Sequence, residues 1–382
     1  MLKELGEIIT GNTPSKKNEE YWNSEDICFI KPDIIADSGI SRINTSNEYI
    51  SEEARKKARV VSEDAVFVTC IGSIGKIGIV SGGEYAFNQQ INVIVPNEKI
   101  NPQYLAYNLL FNKARLVDIA NAPVVPLINK KQFGEFTINV EKNIKKQIKI
   151  VEVLDKIVYL IEKRTREITM LEKLVKARFV EMFGDPINNH KGWKVVTIGD
   201  VVTEVRYGTS KPAVEGGRYP YLRMNNLTAD GHLDLNDLKF IDVSDDEIEK
   251  YVVRKGDVLF NRTNSIELVG KTAVFDLSED MVIAGYIIRV RLNEKLLPEV
   301  LSQYMNLEAL KDILRGMAKG AVNQANINAQ ELQSIKIYLP NMELQKQFVE
   351  IKAQIDKSKV AVQKALDETQ TLFDSLMQKY FG

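Results

Sequence analysis

The sequence predicts an α+β protein. It reads as two copies of one mixed α/β domain, separated by two long helices that form an antiparallel coiled coil and give the chain an approximate twofold axis. Three observations predict this: an internal repeat, a long helical stretch closing each repeat, and strand-like segments ahead of each stretch.

The repeat comes first. Residues 128–140 read INKKQFGEFTINV and residues 327–339 read INAQELQSIKIYL, 199 positions further on. Lys146-Gln147-Ile148 matches Lys346-Gln347-Phe348, and Met182-Phe183-Gly184 matches Tyr380-Phe381-Gly382. Earlier, Asp64-Ala-Val-Phe-Val-Thr with Gly75-Lys76 matches Asp257-Val-Leu-Phe-Asn-Arg with Gly270-Lys271. Leu5-Gly-Glu-Ile-Ile-Thr matches Ile198-Gly-Asp-Val-Val-Thr. Five matches in one order mark a duplication, and the small drift in their spacing fits loop insertions.

Each repeat divides in two. The first parts, residues 1–142 and 187–340, carry strand-like runs such as Val66-Phe-Val-Thr-Cys-Ile, Ile91-Asn-Val-Ile-Val, Val258-Leu-Phe and Ile287-Ile-Arg-Val-Arg-Leu. Asn101-Pro and Leu297-Pro suit the first turn of a helix. The second parts, 143–186 and 341–382, read as single helices. Ile150, Leu154, Ile157, Ile161, Ile168, Leu171 and Val175 form one apolar seam, interrupted by Arg164 and Arg178. Phe348, Ile351, Ile355, Val362, Leu372 and Leu376 form the other, interrupted by Ser358, Thr369 and Lys379. Such a helix would be roughly 55 Å long at 1.5 Å per residue. Exposed in water its stripe would be unstable, so it predicts a partner, and the nearest is its own repeat. Ordinary bundle helices and an intermolecular coiled coil are the alternatives.

Composition is that of a water-soluble globular chain: 382 residues, 44% apolar, 27% charged. No apolar run suits a membrane span, and the opening Met1-Leu-Lys-Glu-Leu-Gly-Glu has no apolar core of a secretory signal. Two cysteines, Cys28 and Cys70, are too few for a disulfide framework, so a reducing cytoplasm is expected. Net charge is −1, which argues against a purely non-specific nucleic-acid binder.

The order domain, long helix, domain, long helix, with each helix ending Phe-Gly, closely resembles the specificity subunit of type I restriction-modification systems over essentially the whole chain. The residues that carry the resemblance are Leu5-Gly-Glu-Ile-Ile-Thr-Gly-Asn-Thr-Pro-Ser-Lys, its echo at Ile198 with Tyr207-Gly-Thr-Ser-Lys-Pro, Gly72-Ser-Ile-Gly-Lys, Leu127-Ile-Asn and Asn326-Ile-Asn. The leader His190-Lys-Gly-Trp193-Lys has no equivalent ahead of Leu2. The resemblance implies a non-catalytic, prokaryotic, cytoplasmic subunit that binds double-stranded DNA. It implies two target-recognition domains, each reading one half of a split, asymmetric site. It implies two modification subunits that methylate adenine with S-adenosylmethionine, and restriction-translocase subunits. S-adenosylmethionine, ATP and magnesium would then belong to the partners, with no cofactor or metal on this chain. Successive major-groove faces recur about every 34 Å, so paired helices could act as a ruler between the two readers.

Side chains that can pair with base edges or phosphates cluster at equivalent places in the two repeats. In the first domain these are Asn12, Thr13, Ser15, Lys16, Lys17, Lys31, Thr69, Ser73 and Lys76. In the second they are Arg206, Tyr207, Thr209, Ser210, Lys211, Arg223, Asn225, Arg262, Asn264 and Lys271. For any one of them the alternative is a solvated loop residue. Catalytic patterns are sparse. Asn101-Pro-Gln-Tyr104 is similar to the Asn-Pro-Pro-aromatic motif of adenine methyltransferases, but it aligns with a helix start in the other repeat. Gly72-Ser-Ile-Gly-Lys76 lacks the spacing of a P-loop, and His190 and His232, each without a metal-ligand neighbour, read as surface residues. A stand-alone adenine methyltransferase and a coiled-coil scaffold with no DNA role are the competing functions.

Overall fold

The structure is a computed structural model that describes residues 1–62, 64–120, 125–321 and 324–382. The chain forms two compact units, Met1–Arg164 with Lys364–Gly382, and Thr165–Gln363. Both cuts fall inside a long helix, Ile144–Phe183 or Met342–Phe381. The helices are therefore not bodies apart from the domains: each half of each helix belongs to a unit.

In the first unit a five-stranded sheet runs in the order Gly6–Thr10, Ile91–Pro96, Val66–Thr69, Ile77–Val80, Ile40–Ile43. Only its last pair is parallel. Val66–Thr69 is the central strand and is buried throughout, as its unbroken apolar run suggests. A second sheet has the order Glu48–Ile50, Ile27–Ile30, Tyr85–Phe87, Val60–Val61, with a parallel central pair.

The second unit repeats this plan. Its first sheet runs Val202–Tyr207, Ile287–Leu292, Val258–Asn261, Thr272–Val274. Its second runs Lys239–Ile241, Tyr219–Leu222, Met281–Ile283, Val252–Val253, again parallel at the centre. Apart from the parallel edge strand Ile40–Ile43, which has no counterpart among the described residues of the second unit's sheet, the duplication read from short motifs is thus a duplication of strand order and direction.

Local chemistry explains the repeated motifs. Asn101 caps helix Pro102–Phe111 by accepting from the Tyr104 N–H at 2.9 Å, and Pro298 opens the corresponding helix, Pro298–Met305. The Ile-Asn pairs end in N-caps: Asn129 accepts from Gln132 N–H and Asn328 from Glu331 N–H, both at 2.9 Å. The leader of the second repeat runs into a two-stranded sheet, Lys194–Thr197 against Lys336–Leu339, and Trp193 Nε1 donates to the Phe183 carbonyl at 2.8 Å. Both units share the bond that follows: the Leu2 N–H donates to the Phe136 carbonyl at 3.0 Å, and the Ile198 N–H to that of Ile335 at 2.9 Å.

Three sequence matches are corrected. Val66 pairs with Ile79 and Ile94 as Val258 pairs with Val274 and Val290, so the Asp64–Thr69 match is one residue out and Thr69 stands with Asn261, not Arg262. The Asn97 and Asn293 N–H groups reach the carbonyls of Leu5 and Val201, so Leu5 stands with Val201, not Ile198. The partner of Gln147 is Gln345, not Gln347. Both glutamines are fully buried. Gln147 accepts from the Asn101 N–H and donates to the carbonyls of Lys99 and Glu141; Gln345 accepts from the Leu297 N–H and donates to those of Lys295 and Pro340. A buried amide this fully satisfied fixes helix to domain, whereas Gln347 sits on the exposed face.

The long helices run antiparallel, as pairs within the second unit show. Glu172 meets Lys359 at 2.7 Å, and seven residues further on Phe179 meets Phe348 with ring centroids 5.2 Å apart. Phe183 also packs on Phe348, at 5.5 Å. In the first unit the early half of the first helix shares a core with the late half of the second, through Leu154, Met377 and Phe381. Arg164, an interruption of the seam, donates to the Ala365 carbonyl at 2.5 Å. Of the expected seam, Leu154, Ile157, Val175 and Phe348 are buried, and Ile150, Ile161, Ile168, Leu171, Ile351, Ile355, Val362 and Leu376 are half-buried. Leu372 is misassigned: it is 50% exposed, and its neighbour Phe373 turns inward onto Tyr107. Thr369, expected to interrupt the seam, is buried and returns its hydroxyl to the Ala365 carbonyl at 2.7 Å. No helix among the described residues is long and apolar enough to cross a membrane.

These burials set a contrast. Phe348→Ala removes a ring packed against two others and should cost about 3–5 kcal/mol in urea-induced unfolding. Leu372→Ala, expected from the sequence to be comparable, should stay within about 0.5 kcal/mol.

Candidate nucleic-acid interface

The loops that follow the first strand of each repeat are held by one backbone pattern. Gly11 N–H donates to the Ile91 carbonyl and Asn12 N–H to that of Phe87; Gly208 donates to Ile287 and Thr209 to Ile283. Asn88 N–H reaches the Ile30 carbonyl, as Ala284 N–H reaches that of Leu222. The approach is so close that a Cβ on Gly11 would lie 2.1 Å from the Asn88 carbonyl oxygen, and on Gly208 2.2 Å from that of Ile283. Glycine is required at both places by space alone.

In the first unit this frame gathers Asn12, Thr13 and Lys31. Thr13 Oγ1 donates to Gln89 Oε1 at 2.8 Å, and Asn12 Nδ2 to the Lys57 carbonyl at 2.6 Å. Lys31 and Lys16 converge on Glu48, which holds its proton affinity below the usual carboxylate range, chiefly through the Lys31 hydrogen bond. Lys16 also lies 4.9 Å over the Trp22 ring. Ser15, Lys17 and Ser73 are exposed. Thr69 and Lys76 are internal struts. Thr69 is fully buried and accepts from the Lys76 N–H at 3.0 Å. Lys76 is 13% exposed and pairs with Asp37 at 2.9 Å.

In the second unit the frame opens into a cleft of about 530 Å³. Thr209, Ser210, Lys211, Arg223, Asn225 and Arg262 line it, so six expected residues meet at one place. Arg223, directly after the strand Tyr219–Leu222, stands where Lys31 stands after Ile27–Ile30. Tyr221, on the cleft wall, donates its hydroxyl to the carbonyls of Thr209 and Lys211, both at 3.1 Å. Burial raises its pKa. Arg206 turns to Glu204 at 2.9 Å, and Asn264 Nδ2 donates to Asn261 Oδ1 at 2.9 Å. Lys271 is buried, its ammonium bonded to the Met224 carbonyl at 2.7 Å, so it braces the cleft from behind. Sequence reasoning missed Gln89, Gln90 and Tyr286, which no local motif marks. Only an alignment of the two repeats could have found them.

Asn101-Pro-Gln-Tyr104 is a buried helix start. Tyr104 is fully covered, receives the Glu141 N–H at 3.1 Å and packs 5.1 Å from the Phe381 ring. It cannot stack on a base there.

His232 is no free surface residue. Its Nδ1 lies 3.1 Å from Asp230 and its Nε2 3.6 Å from Asp356 on the second long helix. Lys359 pairs with both Asp230 and Glu172, and Lys352 with Asp356. Burial alone would raise Asp230, but hydrogen bonds from His232, Lys359 and Thr228 hold it well below the usual range. The loop beside the cleft is thereby clamped to the helix.

The family described as "Type I restriction modification DNA specificity domain" matches residues 1–172 and 190–369. The chain is similar to the type I restriction enzyme EcoKI specificity subunit of Escherichia coli (strain K12), 26% identical over 291 residues, 74% of this chain and 61% of that protein. It is similar to the type I restriction enzyme MjaIX specificity subunit of Methanocaldococcus jannaschii, 28% identical over 250 residues, 59% of this chain and 57% of that one. The chain thus spans about three fifths of the length of these relatives. Its fold is similar to that of the type I restriction-modification S subunit from M. genitalium, with TM-score 0.58 and 14% identity over 100% of this chain and 95% of that one.

The clamp titrates. Asp230 and then Asp356 push His232 from 6.5 up to about 9. Because the folded value exceeds the unfolded one, the protonated clamp stabilises fully below pH 6.5 and is lost as pH rises through about 9. Thermal midpoints should fall across that window, and His232→Gln should flatten the fall. Parallel slopes in the two proteins would contradict the assignment.

Proposed function

The chain belongs to the type I restriction-modification DNA specificity domain family, and from that premise we propose that it is the DNA-reading subunit of such a system. It binds double-stranded DNA at a split, asymmetric target, one half per domain. The observation that carries this reading is the duplicated frame with unlike fittings: the same backbone bonds hold Asn12, Thr13 and Lys31 in one unit and Thr209, Ser210 and Arg223 in the other. Equal scaffolds bearing different donors and acceptors are what two different half-sites require.

The chemistry belongs to partners. Two modification subunits transfer the methyl group of S-adenosylmethionine to adenine, and restriction-translocase subunits use ATP and magnesium. This chain supplies no catalytic residue, and the assembly works in the cytoplasm of a prokaryote. The long helices offer the modification subunits their docking faces.

Selection from a random duplex pool, with the modification partner present, tests this directly. Two unlike half-sites separated by unread positions should emerge, and adenine in that target should be methylated only when partner and S-adenosylmethionine are both added. An unenriched pool, or methylation by the chain alone, would refute the reading.

A further inference from the structure

The cations at the second unit's cleft are not alike. Lys211 is held by Glu247 at 2.5 Å and Arg223 by Asp237 at 2.7 Å. Lys271 is buried and bonded to a carbonyl. Arg262 has no carboxylate at ion-pair distance among the described residues. Its guanidinium lies 4.9 Å over the Tyr207 ring, its Nη1 touches only the Gly285 carbonyl at 3.4 Å, and its Nε is buried without an acceptor. Among the described residues it is the one charged group lining this cleft without a carboxylate partner.

Its position in the repeat is fixed by two backbone bonds. Arg262 N–H donates to the Tyr286 carbonyl at 2.9 Å, and Ile327 N–H donates to the Arg262 carbonyl at 2.9 Å. In the first unit Cys70 N–H donates to the Gln90 carbonyl at 2.7 Å, and Ile128 N–H to the Cys70 carbonyl at 2.8 Å. Arg262 and Cys70 are therefore the same position, as are Tyr286 and Gln90. Cys70 is 2% exposed and carries no charge to offer.

Resting on the DNA-reading function proposed above, we infer that Arg262 is a specificity-determining residue of the second domain, that it reads a guanine, and that the first domain has no reader at the matching position. The guanidinium fork presents parallel N–H groups that match the N7 and O6 acceptors of guanine in the major groove. Stacking on Tyr207 holds the plane of the fork before DNA arrives, which lowers the ordering cost of binding. A phosphate could also accept two bonds. The cleft around Arg262 favours a base, because Tyr221, Met224, Pro212 and Tyr286 line it with apolar and aromatic surface. Phosphate contacts carry no sequence information, so the two ligands predict different selections.

The test uses the full chain with its modification partner and a random duplex pool. The wild-type protein should enrich guanine at a position of the half-site read by the second domain. Arg262→Ala should lower that preference about tenfold or more while leaving every other position and the first half-site unchanged. Arg262→Lys, which keeps the charge and the stem but loses the fork, should lose the same guanine. Unchanged preference in both variants, or binding weakened equally for all sequences, would overturn the inference and mark a structural or phosphate-contacting residue. A wild-type protein that enriches no split target would overturn the DNA-reading proposal and this one with it.

Discussion

Each unit depends on a helix half that arrives from far along the chain to close its core. The first unit, built mainly from residues near the N-terminus, is finished by Met377 and Phe381 from the last turns of the second long helix. The second is finished by Val175, Phe179 and Phe183 from the first long helix, packed on Phe348 of the second. Neither domain buries its full apolar surface without the other repeat's helix. The seam is thus a core interaction as much as a coiled coil, and an intramolecular pairing follows from it.

From that closure comes the precision of the loops. Gln147 and Gln345 tie the start of each long helix to the turn that follows the edge-adjacent strand, and every polar atom of those amides is satisfied. The same sheets then set Gly11 and Gly208 against the second sheet with no room for a side chain. On this rigid base the positions free to differ are side chains at equivalent backbone sites: Cys70 and Arg262, Gln90 and Tyr286, Lys31 and Arg223. Among the cations at the candidate sites, Lys16, Lys31, Lys76, Lys211 and Arg223 each face an acid of their own unit.

The duplication was legible because strand order follows from short motifs that survive in both copies. The helices were legible because neither Ile144–Phe183 nor Met342–Phe381 holds a glycine or proline. Their register was less so. Lys146-Gln147 resembles Lys346-Gln347 letter for letter, yet the burial that matters falls on Gln345, two residues earlier. Leu372 fits an apolar seam by residue type, but Phe373 and Thr369 take the inner face, since only rotation about the helix axis decides between neighbours. Candidate site residues were found where polar loops stand out. Their roles were not legible, because a lysine that braces a carbonyl from inside, as Lys271 does, reads the same in sequence as one that meets solvent.

Hydrogen exchange on a full-length Phe381→Asp variant tests the closure most directly, because a charge cannot stay in that core without cost. Protection should fall in Pro102–Phe111 and in the early half of the first long helix, while Pro298–Met305 and the Phe179–Phe348 contact region keep theirs. Loss confined to the second unit, or no loss anywhere, would contradict the account.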